Sequence, residues 1–156
     1  VQAQAPRWQA DAQRIVLVGH SAGAHLAAML LACDWKSLGC KTPPVRTALG
    51  LSGVYDLRPL VGLPLLLDDL RLTFPEAERL SPVLWPAPKG VRFIAQAGGD
   101  ESAEFRRQNR AIAQAWGPTA VPVCEDLAGF NHFTILDSLV DERGAAHRAV
   151  LELLAS

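Results

Sequence analysis

A charge imbalance is absent from this chain. Fifteen basic and sixteen acidic side chains leave a formal net charge of −1. That balance lacks the electrostatic footprint that nucleic acid or an anionic membrane surface requires. Long apolar runs are absent as well: none approaches the ~20 residues of a membrane-spanning helix. The opening Val1-Gln2-Ala3-Gln4-Ala5-Pro6-Arg7 has no hydrophobic core of a secretion signal. Cysteine is scarce. Cys33, Cys40 and Cys124 lack metal-ligand spacing, and three cannot all pair with one another. They read as free thiols, buried or partly buried, in a reducing, cytoplasmic compartment, with a Cys33–Cys40 disulfide as the alternative. An initiator methionine is also missing. The chain starts at Val1 and runs from a polar, helix-like stretch straight into a strand, as expected of a protein without its N-terminal portion. The partner class left by these exclusions is a small-molecule substrate, with no nucleic acid, no membrane, no metal and no organic cofactor; a homodimer stays open. At 156 residues and 49% hydrophobic, residues 1–156 make one domain with a core of its own.

What is present centres on Gly19-His20-Ser21-Ala22-Gly23. An apolar β-branched run, Ile15-Val16-Leu17-Val18, precedes it, and a helix-like stretch, Ala24-His25-Leu26-Ala27-Ala28-Met29-Leu30-Leu31-Ala32, follows. Strand, Gly-x-Ser-x-Gly, helix is the context of a nucleophile elbow. The serine sits at the tip of a tight, strained turn, and side chains at Gly19 and Gly23 are expected to crowd it. The Ser21 hydroxyl then points out at the carboxyl end of the sheet. The backbone N–H of Ala22 is an oxyanion donor, and the helix aims its first N–H groups at the same place.

The rest of the chain alternates in the same way. Residues 5–13 resemble the end of a helix. Strands are expected at 14–18 (buried on both faces), 47–51, 91–97 and 121–126, with helices at 21–33 and 103–116. Phe105, Ile112, Ala115 and Trp116 are the core candidates of the second helix. Residues 56–84, rich in leucine and proline, suit short helices and a substrate-facing cap. The last segment is mostly helix. Strands alternating with helices imply an α/β fold, a partial doubly wound, mainly parallel sheet with helices on both faces.

A serine at an elbow needs a base and an orienting acid, in the order serine, acid, histidine. Gly98-Gly99-Asp100-Glu101 follows the third strand and Asn131-His132-Phe133 follows the fourth. Both loops leave carboxyl ends of strands, where ligands bind in open α/β sheets. Ser21, His132 and either Asp100 or Glu101 can therefore converge. The plainer alternatives are a surface loop histidine at 132 and simple turn acids at 100 and 101. His20 reads as a packing residue beside the nucleophile, His25 as structural and His147 as solvated. Asp56 and Arg58 read as loop supports.

Four segments carry a more specific resemblance: Gly19-His20-Ser21-Ala22-Gly23-Ala24-His25-Leu26, Leu51-Ser52-Gly53-Val54-Tyr55-Asp56-Leu57-Arg58-Pro59-Leu60, Glu101-Ser102-Ala103-Glu104-Phe105-Arg106-Arg107-Gln108 and His132-Phe133. From the elbow strand onward the chain resembles the arylformamidase (kynurenine formamidase) family of α/β-hydrolases. The resemblance implies an α/β-hydrolase fold and cleavage of N-formyl-L-kynurenine to kynurenine and formate without a cofactor. It also selects Glu101, directly before the Ser-x-Glu-Phe segment, over Asp100 as the acid. Related members are carboxylesterases acting on small acyl esters. One departure is plain: the His-Gly-Gly-x-Trp-type loop that supplies oxyanion N–H groups upstream of the elbow has no counterpart here. Loss of one such donor costs about 10²–10³ in rate, so an inactive remnant is the third reading.

Overall fold

The computed structural model describes residues 1–64 and 67–155. Leu65, Leu66 and Ser156, the first two within the expected cap and the third at the end of the expected last helix, lie outside the described residues. Four strands form one sheet: β1 (Val16–His20), β2 (Thr47–Leu51), β3 (Arg92–Gly98) and β4 (Val123–Leu127). Their spatial order is β1-β2-β3-β4, and every pairing is parallel, with Val16 opposite Thr47, Thr47 opposite Arg92 and Ile94 opposite Val123. Helices α1 (Ala22–Ala32) and α4 (Ala103–Ala120) cover one face, and α6 (Ala145–Ala155) covers the other. Short helices α2 (Leu67–Leu70), α3 (Phe74–Arg79) and α5 (Asp137–Val140) lie in the connections.

The two faces divide the strand residues by alternation. Leu17, Ala48, Phe93 and Ala95 meet Ala24, Ala28 and Leu31 of α1 and Ile112 and Trp116 of α4. Val16, Leu49, Leu51, Ile94 and Leu127 meet Ala146, Ala149 and Leu153 of α6. Small residues on α1 let that helix lie close to the sheet, and Trp116 fills the space beside Phe93, its indole N–H donating to the Pro82 carbonyl at 3.0 Å.

Several expectations need correction. The elbow strand begins at Val16 rather than at residue 14, and it is not buried on both faces. It lies at an edge of the described sheet, and α6 packs against Val16 but leaves Val18 43% exposed. The N-terminal stretch is a 3-10 helix, Gln2–Trp8, ended by the left-handed Gln9, and no helix runs to residue 13. Phe105 and Ala115 leave the core of α4. The buried stripe there is Gln108, Asn109, Ile112, Trp116 and Ala120, while Ala115 faces solvent and Phe105 is half-buried at the site below. The three cysteines are free, but Cys124 on the edge strand β4 is exposed rather than buried. His147 is half-buried on α6, within 3.2 Å of the Leu139 carbonyl, rather than solvated.

Candidate active site

Three strand ends build the site. At the end of β1, Ser21 takes φ 55° and ψ −117°, a conformation costly for any side chain, and caps α1. Its backbone N–H donates to the Leu51 carbonyl at 2.9 Å, extending the ladder one rung past the strand. The turn is tight at Gly19, where a Cβ would lie 2.2 Å from the Gly23 carbonyl oxygen. Gly23 differs from expectation: a Cβ there meets nothing within 4 Å. Crowding therefore requires glycine on the strand side of the elbow only, because the close approach is between the Gly19 Cα and the first turn of α1.

At the end of β3 the chain turns through Gly98-Gly99-Asp100-Glu101. This turn is fastened to the end of β4 and the loop after it by backbone bonds, Gly99 N–H to Leu127 O at 2.7 Å and Asp100 N–H to Phe130 O at 3.0 Å. The approach is so close that a Cβ on Gly98 would lie 2.2 Å from the Phe130 carbonyl oxygen. That fastening brings two residues 31 apart in sequence into contact: His132 Nδ1 lies 3.0 Å from Glu101 Oε2. The Glu101 side chain is 1% exposed and that of His132 is 23% exposed. A carboxylate acceptor places the proton on Nδ1 and leaves Nε2 with its lone pair. Asp100, the other candidate acid, is exposed and donates only its backbone N–H to this arrangement. The geometry therefore pairs His132 with Glu101 and not with Asp100.

His132 is wedged between rings. Phe105 lies 4.3 Å away by ring centroid, His20 4.7 Å and Phe133 5.3 Å. His20 Nε2 also donates to the His132 carbonyl at 2.7 Å. The residue before the nucleophile thus holds the backbone of the histidine loop. Ser21, one residue on, makes no hydrogen bond to the His132 ring.

The Ser21 side opens on a cavity of about 490 Å³. Ser21, Ala22 and His25 form one wall, and Val54, Leu57, Leu72 and Phe105 form much of the rest. The Ala22 N–H, first in α1, has no intrahelical acceptor. His25 Nε2 donates to the Leu80 carbonyl at 2.8 Å and so ties α1 to the cap-like segment that contributes Leu57, Leu70, Leu72 and Leu80. Gln108 on α4 holds the backbone between Val54 and Leu57, two residues of the cavity lining. Its Oε1 accepts from the N–H groups of Tyr55 and Asp56 at 2.9 and 2.8 Å, and its amide nitrogen donates to the Asp56 carbonyl. Asp56, buried, receives the Arg58 guanidinium fork at 2.8 and 3.0 Å, and this contact holds its carboxyl below the usual range. Among the described residues no group of three or more His, Cys, Asp or Glu could hold a metal ion, and no helix is long and apolar enough to cross a membrane.

Sequence reasoning missed two contributors. Phe105 was assigned to the core but faces the site. Ser52, at the end of β2, is fully buried with φ 50° and donates its hydroxyl to Glu101 Oε1. The available signal was its place: a serine directly after a buried strand, as Ser21 is.

Comparison with solved structures decides the fold. A thermostable carboxylesterase cloned from a metagenomic library superposes with a TM-score of 0.73 over 99% of this chain and 59% of its own, at 17% identity. The chain has the α/β-hydrolase fold. Its sequence relatives include kynurenine formamidases. The zebrafish (Danio rerio) protein is 32% identical over 146 residues, covering 90% of this chain and 49% of the relative. The Atlantic salmon (Salmo salar) protein is 34% identical over 133 residues, covering 81% and 45%. The α/β-hydrolase chain thus spans about half the length of these relatives. No protein-family model matches it.

Proposed function

We propose that Ser21, Glu101 and His132 are the nucleophile, acid and base of a serine hydrolase that cleaves the N-formyl amide of N-formyl-L-kynurenine. The observation that carries this reading is the buried Glu101 carboxylate on His132 Nδ1. It places the proton on Nδ1 and leaves the Nε2 lone pair free. In this mechanism His132 Nε2 takes the Ser21 proton as Oγ attacks the formyl carbon. The Ala22 N–H meets the developing oxyanion. The intermediate collapses as His132 returns the proton to the departing aryl amine, leaving a formyl ester on Ser21. Water, deprotonated by His132, then releases formate. No metal or organic cofactor enters these steps. The names of the zebrafish and salmon relatives support the formamide as substrate.

A second reading, a carboxylesterase on small acyl esters, draws on a separate observation. Among the described residues, the lining of the 490 Å³ cavity is apolar apart from Ser21 and His25. The three free thiols support a reducing, cytoplasmic setting for either activity. Hydrolysis of N-formylkynurenine and of p-nitrophenyl acetate by the purified chain and its Ser21→Ala variant separates the two. Formamidase activity lost in the variant is the expected result. Ester cleavage alone transfers support to the esterase. A folded chain with neither activity overturns both.

A further inference from the structure

We propose that Ser52 is a positioning residue of this site: its hydroxyl locks the Glu101 carboxylate so that Oε2 alone is presented to His132. The inference rests on the triad reading above and extends it to a fourth strand end. Glu101 Oε1 accepts two bonds, from the Gly98 N–H at 2.6 Å and from the Ser52 hydroxyl. Oε2 accepts from His132 Nδ1 at 3.0 Å. With one donor on Oε1 the carboxylate can swing about its terminal torsion, which is soft. With two donors from different strands its plane is set. A buried carboxylate holding three donors in fixed places keeps the imidazole in one tautomer and one orientation.

The backbone argues that Ser52 is placed for this task. It lies 0% exposed in the left-handed region, φ 50°, where a residue other than glycine is strained. Its N–H donates to the Gln96 carbonyl at 2.7 Å, one rung beyond the β2–β3 ladder. That rung holds the kink and turns the hydroxyl towards the β3 loop. Glycine would adopt the conformation without strain, but it would supply no donor. Ser21 and Ser52 thus end adjacent strands with the same positive φ, one oriented to the cavity and the other to the acid.

Two variants separate positioning from mere support of the fold. Ser52→Gly removes the hydroxyl and relieves the backbone. Ser52→Ala removes the hydroxyl and keeps the strain. Two readouts are taken on the folded chain: the rate of Ser21 labelling by a fluorophosphonate probe, and the solvent-exchange rate of the His132 Nδ1 proton by NMR. A lost hydrogen bond to a charged group corresponds to roughly 10- to 100-fold. Slower labelling by that factor in both variants, with at least tenfold faster Nδ1 proton exchange and an undiminished melting temperature in Ser52→Gly, is the expected result. Labelling and exchange in Ser52→Gly within twofold of the parent would overturn the proposal and leave Ser52 a structural residue. If Ser52→Ala fails to fold, Ser52→Gly carries the test alone. If the parent itself is not labelled, the hydrolase reading fails, while the proton-exchange comparison still decides whether Ser52 positions Glu101.

Discussion

Replacing Glu101 by glutamine tests the acid with almost no change of shape. In the parent chain Oε1 faces two donors, Gly98 N–H and the Ser52 hydroxyl, and Oε2 faces His132 Nδ1. Glutamine offers one acceptor oxygen and one NH2 group. Setting the NH2 against Gly98 and Ser52 would leave the buried Gly98 N–H without an acceptor and force the Ser52 hydroxyl to turn and accept, at a cost of about 1–3 kcal/mol. Setting the oxygen there costs less, and the NH2 then faces Nδ1. His132 must accept at Nδ1, its proton moves to Nε2, and the ring can no longer take a proton from Ser21. The same change of tautomer in the Ser-His-Asp template costs about 10⁴ in turnover, or ~5.5 kcal/mol of barrier. The assay is the rate of fluorophosphonate labelling of Ser21 followed by intact mass, with circular dichroism as the check on folding. The expected loss is 10³- to 10⁴-fold by that template, whereas Asp100→Asn, on an exposed turn residue, stays within about twofold. A folded Glu101→Gln chain labelled within about threefold of the parent, a barrier change under ~1 kcal/mol, would refute the reasoning.

Other consequences concern the scaffold. Gly19→Ala puts a Cβ 2.2 Å from the backbone oxygen of Gly23, which no rotamer relieves. A loss of about 3 kcal/mol or more is expected in urea titration, whereas Gly23→Ala, with open space around it, should be neutral or stabilising by up to ~1 kcal/mol; equal losses in the two would contradict the elbow geometry. The Asp56 carboxyl is held below its ordinary range by Arg58. The stability from that pair is therefore present above the unfolded-state value, near 4, and is lost as pH falls through the lower folded value. Asp56→Asn should be less stable than the parent by roughly 1.5–3 kcal/mol at pH 6, with the gap narrowing as the pH falls below the unfolded-state value and through the lower folded one. A gap that does not change with pH would remove the ion pair from the account.

Much of this fold was readable from local pattern. The strand Thr47–Leu51 is found with the bounds its apolar run implies, and the other three strands lie within two residues of theirs. Periodicity placed Ile112 and Trp116 in the core. It failed at Phe105, because a ring on the first turn of α4 can turn to either the sheet or the cavity, and only the position of His132 decides which. The burial assigned to β1 failed because an unbroken apolar run does not reveal which strand lies at an edge. The alternatives Asp100 and Glu101 were adjacent in sequence and inseparable by loop position. The resemblance favoured Glu101, and the bonds of Gly99 and Asp100 to the end of β4 and the loop after it supply the physical reason, since they turn Glu101 inwards. Ser52 offered only its place after a buried strand: its role depends on a left-handed kink and on a carboxylate 49 residues away, and neither leaves a spacing signal.

The central claim is that Glu101 and His132 serve Ser21 as one unit. The direct measurement is a double-mutant cycle on the labelling rate of Ser21, using Glu101→Gln, His132→Gln and the two together. Groups that act as a unit are grossly non-additive. The account predicts that the double variant is labelled no more slowly than His132→Gln alone, because the carboxylate has nothing left to orient. Losses that multiply, or a His132→Gln chain labelled at the parent rate, would contradict it.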